Sequence, residues 1–359
     1  MKPELTTNDW QRLRDLRQRF LNDASEDYWK SIRDLELYDQ VYAQRIGWKW
    51  RAVLESLTQA GWQPHSKNII DWGCGTAIAS RCVTSWSGIQ KISLLDQSKL
   101  ALAFAQKKLS EEKISATFFK KERDFEPSTL LLISHVVGEL NEKELLELTL
   151  KATTADEVIW VEPGSHKLSR LLSSLREVFI AAGHQMIAPC VHQQPCPLLD
   201  SKDRLHFKLA ATDSVRETDG AEELNGLHAC DTPSSGATKS CAAEDEFQKK
   251  SRHWCHFFAK PPIEIFQSAF WHEVSRKLGI DLRSLPYSYF ACSRFWKPEW
   301  SSGAERLIGN PRAFKGHCKL FCCGASGIQE RTLQKRDHAA LFKEIVKKER
   351  RGVFLLEEK

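Results

Sequence analysis

The sequence predicts an α/β protein: a doubly wound parallel sheet, preceded by helices and followed by a smaller strand-rich end. Three observations carry that expectation. Residues 8–60 show helical periodicity, residues 61–189 alternate short apolar strands with helix-like stretches, and the chain after Arg252 turns aromatic, basic and strand-patterned.

In the first region Trp10, Leu13, Leu16 and Phe20 recur at spacings of three and four, and SIRDLELYDQVYAQRIGWKWRAVLESLTQAG continues the pattern to Gly61, which ends the helix. The rhythm then changes. NIIDWGCGT is an apolar strand entering a glycine turn, KISLLDQS a second strand, and TLLLISHVVGEL and DEVIWVEPG two more. AIASRCVTSW, SKLALAFAQKKLSEEK, NEKELLELTLKAT and HKLSRLLSSLREVFIAAGH read as helices between and after them. Residues 208–250 are polar and aperiodic, so they read as a mobile insertion in a cysteine-bearing region, 190–260. In the last segment, 261–359, YSYFACSR, HCKLFCCG and IQERTL read as strands, with the turn ASG between the last two and a basic helix at the end. There are no internal repeats.

The 359 residues are 42% hydrophobic, enough for a sizeable core in two or three domains. The N-terminus is polar and no run approaches membrane-spanning length, so the expected location is the cytoplasm. Eleven cysteines, scattered and odd in number, suggest thiols or metal ligands rather than disulfides. A net charge of +5 is modest, yet FKEIVKKERRG gathers Lys343, Lys347, Lys348, Arg350 and Arg351, a concentration suited to phosphate backbones.

The glycine turn places Asp71 at a strand end with Gly73 and Gly75 behind it, where a main chain can approach a nucleotide-like ligand closely. Asp96 ends the next strand, about twenty residues on, and such an acid accepts hydrogen bonds from ribose hydroxyls. The third glycine of a dinucleotide fingerprint is missing near Ile78. The pattern therefore resembles the Rossmann-like S-adenosylmethionine methyltransferase fold, with His135 and Glu139 at the end of the fourth strand as further pocket candidates. No acceptor-specific loop or nucleophilic cysteine follows that strand, so the catalytic residues are unknown and the pocket supports cofactor binding better than turnover.

Cys190 and Cys196 stand five residues apart among Pro189, Pro195 and Pro197, and Cys255 lies within HWCHF. Zinc knuckles of the CxxC type are missing, and the wider spacing suits an iron–sulfur cluster, with zinc as the alternative and buried free thiols as the plain one. Cys230, Cys241, His192 and His256 are open choices for a fourth ligand. Cys318, Cys322 and Cys323 read as packing within a strand.

The order D-x-G-x-G, VVGELN, VEPGS, APCVHQQPCPL, HWCHF and KGHCKLFCCGASGIQERTL resembles the methyltransferase-like family associated with the small ribosomal subunit, found in bacteria and in mitochondria as assembly factors. The resemblance runs from about Tyr38 to the C-terminus. It implies a methyltransferase-like domain, a cysteine region that holds 4Fe–4S in mitochondrial members, and a small C-terminal β-rich segment contacting ribosomal RNA. By position Asp71, Gly73 and Gly75 match the cofactor turn, and Cys190, Cys196 and Cys255 match cluster ligands. A further cysteine of the mitochondrial members is Arg204 here, and Val191 replaces a usual proline. Three functions remain open: methylation of small-subunit RNA, a non-catalytic assembly platform, and a redox or iron sensor.

Overall fold

The structure, a computed structural model, describes residues 5–21, 29–199, 253–297, 300, 303–347 and 353–355. The insertion expected over 208–250, Arg204, and the tail residues Lys348, Arg350 and Arg351 lie outside the described residues.

The N-terminal helices form where the periodicity expects them. Thr6 and Asp9 cap α1 (Thr7–Leu21) reciprocally: the Thr6 amide donates to Asp9 at 3.0 Å and the Asp9 amide to the Thr6 hydroxyl at 3.2 Å. Trp10, Leu13 and Leu16 turn inward. Ser31 caps α2 (Ile32–Tyr38), which passes through a π turn, Asp39–Ala43, into α3 (Gln44–Gln59). Gly61, with φ of 72°, stops α3, and the Trp62 amide closes the end on Leu57 O at 3.1 Å.

The large sheet holds β1 (Asn68–Trp72), β2 (Lys91–Leu95), β3 (Ala116–Phe118), β4 (Thr129–Ser134), β5 (Glu157–Pro163), β6 (Gln185–Ala188), β7 (Phe257–Phe258) and β8 (Pro286–Ser293). Its order is β3–β2–β1–β4–β5–β8–β6, with β7 paired to β8. Strands β1 to β5 are parallel, and β8 is antiparallel to each of its neighbours. Helices α4 (Ile78–Ser87), α5 (Lys99–Glu111), α6 (Glu142–Ala152) and α7 (His166–Ala181) connect the parallel strands. Every residue of β1 is buried, as a strand covered on both faces requires. Trp50, Trp62 and Trp160 are fully buried in this core, and truncating such a side chain costs about 3–5 kcal/mol.

One sequence expectation needs correction. The strand expected at YSYFACSR, within the C-terminal segment 261–359, is β8 and sits between β5 and β6 of the large sheet. The parallel-sheet unit is therefore not complete at residue 189. Pairing across a hundred residues places the strand there, with Tyr289, Phe290, Ala291 and Cys292 all buried.

The small sheet contains β9 (Ala304–Leu307), β10 (Arg312–Ala313), β11 (His317–Gly324), β12 (Gly327–Gln334) and β13 (Val353–Leu355), in the order β10–β11–β9–β13 with β12 against β11. Before it comes α8 (Ala269–Leu278), whose Trp271 packs on Trp48 with ring centroids 5.0 Å apart. After β12 the chain forms α9 (Ala339–Phe342) and a π turn, Lys343–Lys347; Phe342 and Ile345 bury against Leu307, Cys318, Leu320, Cys322 and Leu333. Arg306 joins the two sheets. Its Nη1 donates to Ser56 at 3.0 Å and its guanidinium lies 5.0 Å from the Phe257 ring. Among the described residues no helix is long and apolar enough to cross a membrane.

Candidate functional site

Strands β1 and β2 pair with Asp71 opposite Leu94 and Trp72 opposite Leu95, so Gly73 and Asp96 leave the sheet side by side. The amides of Gly73 and Cys74 donate to Leu95 O at 2.8 and 3.0 Å. Those of Gly75 and Ser98 each donate to a different oxygen of Asp96 at 2.9 Å. Gly73 has φ of +71°, and a Cβ there would stand 2.6 Å from Val136 Cγ2. Only glycine satisfies both conditions.

These residues wall a cavity of about 390 Å³ outside the carboxyl ends of β1, β2 and β4. The chain runs from β1 toward β3 in one direction and from β4 outward in the other, so the cavity lies at the topological switch point. Asp96 and His135 line it, as do Gly73 and Gly75. Trp29 and Tyr38 reach it from the N-terminal region, which sequence reasoning did not assign to the pocket.

Asp71 does not line the cavity. Its carboxylate turns onto α4, accepting from the Ser80 amide at 3.2 Å and the Ser80 hydroxyl at 2.7 Å. Burial raises its pKa to about 6 against the lowering effect of Ser80. It braces the turn from behind, because the side chains of a strand alternate and this one falls on the helix side.

His135 is left-handed, with φ of 59°. Its ring is 3.1 Å from Lys49 Nζ and 3.3 Å from Ser134 Oγ. Burial, with Lys49 beside it, holds the imidazole well below its ordinary pKa and hence neutral. Burial also lowers Lys49, to about 8. Behind them Glu162 Oε1 accepts from the amides of Val136 and Val137 and from Trp160 Nε1, at 3.1, 3.2 and 2.9 Å, fixing the turn after β4. Burial raises this carboxyl to about 7. Lys49 and Glu162 were missed, and their signal was a charge inside an apolar run: Lys49 between two tryptophans, Glu162 in VIWVEP.

The expected thiols come together. Cys190, Cys196 and Cys255 line one cavity with Leu198, Phe257 and Ile308, and Cys323 of β11 lines it too. Arg176, buried in α7, donates from Nε to Cys190 Sγ at 3.1 Å and from Nη2 to the carbonyls of His192 and Gln194, each at 3.0 Å. Glu177 accepts from the Cys196 amide at 2.8 Å, so one turn of α7 shapes the cysteine loop. Burial, then the neighbouring Cys190, raises the Cys196 thiol to about 11 and pushes Cys255 and Cys323 well up. Of the histidines considered, His192 lines the cavity, whereas His256 turns its Nδ1 onto Trp254 O at 3.0 Å. Cys318 and Cys322 pack in the small sheet as expected, and Cys323 does not. Among the described residues no group of three or more His, Cys, Asp or Glu stands ready to hold a metal ion. The four thiols and His192 supply soft donors around one cavity, a donor set suited to an iron–sulfur cluster or to zinc.

On the small sheet Phe314 is half exposed and stacks on His317 at 4.7 Å. Arg312, Lys315 and Lys335 are exposed nearby; Arg312 shares Glu330 with Lys319.

A mostly parallel sheet with a glycine turn, a strand-end acid and a pocket at its switch point defines a doubly wound α/β protein. The profile of the family described as mitochondrial small ribosomal subunit Rsm22 matches residues 41–222, half of the chain, and the chain belongs to that family. No curated protein matches the sequence significantly. Among solved structures it is similar to the 16S rRNA methylase RmtB, at 12% identity over 52% of this chain and 70% of that one, with a TM-score of 0.32. A candidate RNA methyltransferase of Pyrococcus horikoshii shows 14% identity over 38% and 69%, with a TM-score of 0.31. The YcgJ protein of Bacillus subtilis shows 12% over 38% and 71%, also at 0.31.

Proposed function

We propose that the chain is an S-adenosylmethionine-binding, methyltransferase-like protein that works on the small ribosomal subunit and contacts its RNA. The pocket carries this reading: about 390 Å³, at the switch point, with a glycine turn that admits close approach and Asp96 at the strand end. Asp96, held at the strand end by the Gly75 and Ser98 amides, presents a carboxylate of the kind that accepts ribose hydroxyls. Trp29 and Tyr38 add aromatic lining to the same cavity. When bound, the cofactor supplies an electrophilic methyl group. The family's name supports the ribosomal partner. The exposed Phe314–His317 stack among Arg312, Lys315 and Lys335 supports an RNA-facing small sheet, since rings stack on unpaired bases while cations meet phosphates.

The thiol cavity belongs to the same reading. Cys190, Cys196 and Cys255 are proposed ligands of an iron–sulfur cluster, held as thiolates with Arg176 donating to one sulfur and apolar walls excluding water. The cavity is small, about 20 Å³. Replacing Cys196 with serine is expected to remove bound iron, and retained iron would reject that assignment.

A second reading, a non-catalytic assembly factor, is favoured by the pocket's chemistry. His135 and Lys49 are turned on each other, and burial holds the Cys74 thiol protonated. Labelled methyl transfer from S-adenosylmethionine to immature small subunits, with the wild type beside Asp96→Ala, separates the two. Label in the RNA that vanishes with the variant establishes the enzyme. Cofactor binding and subunit capture without label establish the platform, and loss of both bindings in the wild type overturns the proposal.

A further inference from the structure

We infer that Cys323 is the fourth sulfur of the thiol site, so that the metal centre ties the small sheet to the large one. The inference rests on the reading of Cys190, Cys196 and Cys255 as ligands.

Strand periodicity separates Cys323 from its neighbours. Residues of β11 alternate in burial, and Cys318, Leu320 and Cys322 face the core made with Phe342 and Ile345. Phe321 and Cys323 face the other way, against the cluster of Cys196, Leu198 and Ile308, to which Cys255 also packs. Two adjacent cysteines thus have different surroundings, and only the second reaches the cavity. The pairing of Cys323 with Arg306 in β9 fixes its position along the strand. Of the other donors, His192 also lines the cavity, but its Nε2 is 3.6 Å from Cys323 Sγ. That contact makes the imidazole a partner that orients the sulfur. Thiolate is the softer donor and the better match for iron–sulfur chemistry. Each thiol binds after losing its proton to solvent.

The four sulfurs come from three parts of the chain: the loop after β6, the residue two before β7, and β11. A centre held by all four fastens β11, and with it the small sheet, to the large sheet.

The test uses the full chain purified without oxygen, comparing wild type, Cys323→Ser, Cys322→Ser and His192→Ala for iron, labile sulfide and paramagnetic resonance. About four irons per chain are expected in the wild type and Cys322→Ser, with three or fewer and an altered spectrum in Cys323→Ser. Full iron and an unchanged spectrum in Cys323→Ser overturn the inference, as does iron loss in His192→Ala alone. A wild type without metal overturns the underlying reading as well. One zinc per chain, lost on Cys323→Ser, keeps the fourth sulfur and rejects iron. Should the serine variant fail to fold, hydrogen exchange on the wild type serves: stripping the metal should speed exchange of the β11 amides at least tenfold, and no change rejects the tie.

Discussion

The backbone amide of Gly75 donates to Asp96 Oδ2 at 2.9 Å, joining the turn after β1 to the end of β2. A carboxylate that holds the loop is thereby held at the pocket wall.

Asp96→Asn carries one acceptor where Asp96 uses both oxygens on Gly75 and Ser98. Hydrogen bonds to a charged group contribute about 1.5–3 kcal/mol. Affinity for S-adenosylmethionine should fall roughly tenfold or more by calorimetric titration. Unchanged affinity would refute the ribose assignment.

Gly73→Ala meets two obstacles, the left-handed backbone and the contact at 2.6 Å with Val136 Cγ2. A loss of about 1–3 kcal/mol is expected in denaturant unfolding. Adding Val136→Ala should recover the steric part and leave the backbone part. No recovery would mean that the clash does not matter.

Glu162 predicts a pH dependence. Its carboxyl is raised from 4.5 to about 7 by burial, so the folded state holds a proton that the unfolded state releases. That contribution is full below pH 4.5 and is lost as pH rises to about 7, by roughly 3 kcal/mol at most. Glu162→Gln keeps an oxygen for the three donors and removes the titration. The stability of wild type minus that of the variant should therefore decline across this window, and a flat difference counts against a buried neutral acid.

RNA binding by the small sheet predicts a salt effect. Removing the chain after Arg336 is a poor test, because Phe342 and Ile345 fill the core of the small sheet. Neutralising exposed Lys315 and Lys335 should instead lower the salt slope of subunit binding by about one for each phosphate left without its cation. Phe314→Ala should cost about 1–3 kcal/mol with little change in slope. Binding unaltered by all three substitutions would place the RNA elsewhere.

The features legible in the amino-acid order are local. Helical spacing and the Gly61 stop set α1 to α3. Apolar runs with glycine turns set β1 to β5, and the interval from Gly73 to Asp96 marked a pocket because neighbouring strand ends in a parallel sheet must meet. The cysteines of residues 190–196 and Cys255 were visible as odd thiols among prolines and aromatics. Distant pairing, and the face each side chain takes, set the rest. Strand β8 entered the large sheet because its hydrogen bonds and buried face found β5 and β6. Asp71 fell behind the turn, Lys49 met His135 across 86 positions, and Cys323 parted from Cys322 toward the thiols. A period of two assigns adjacent residues to opposite faces, and only the packing of one sheet against the other decides which face meets the site.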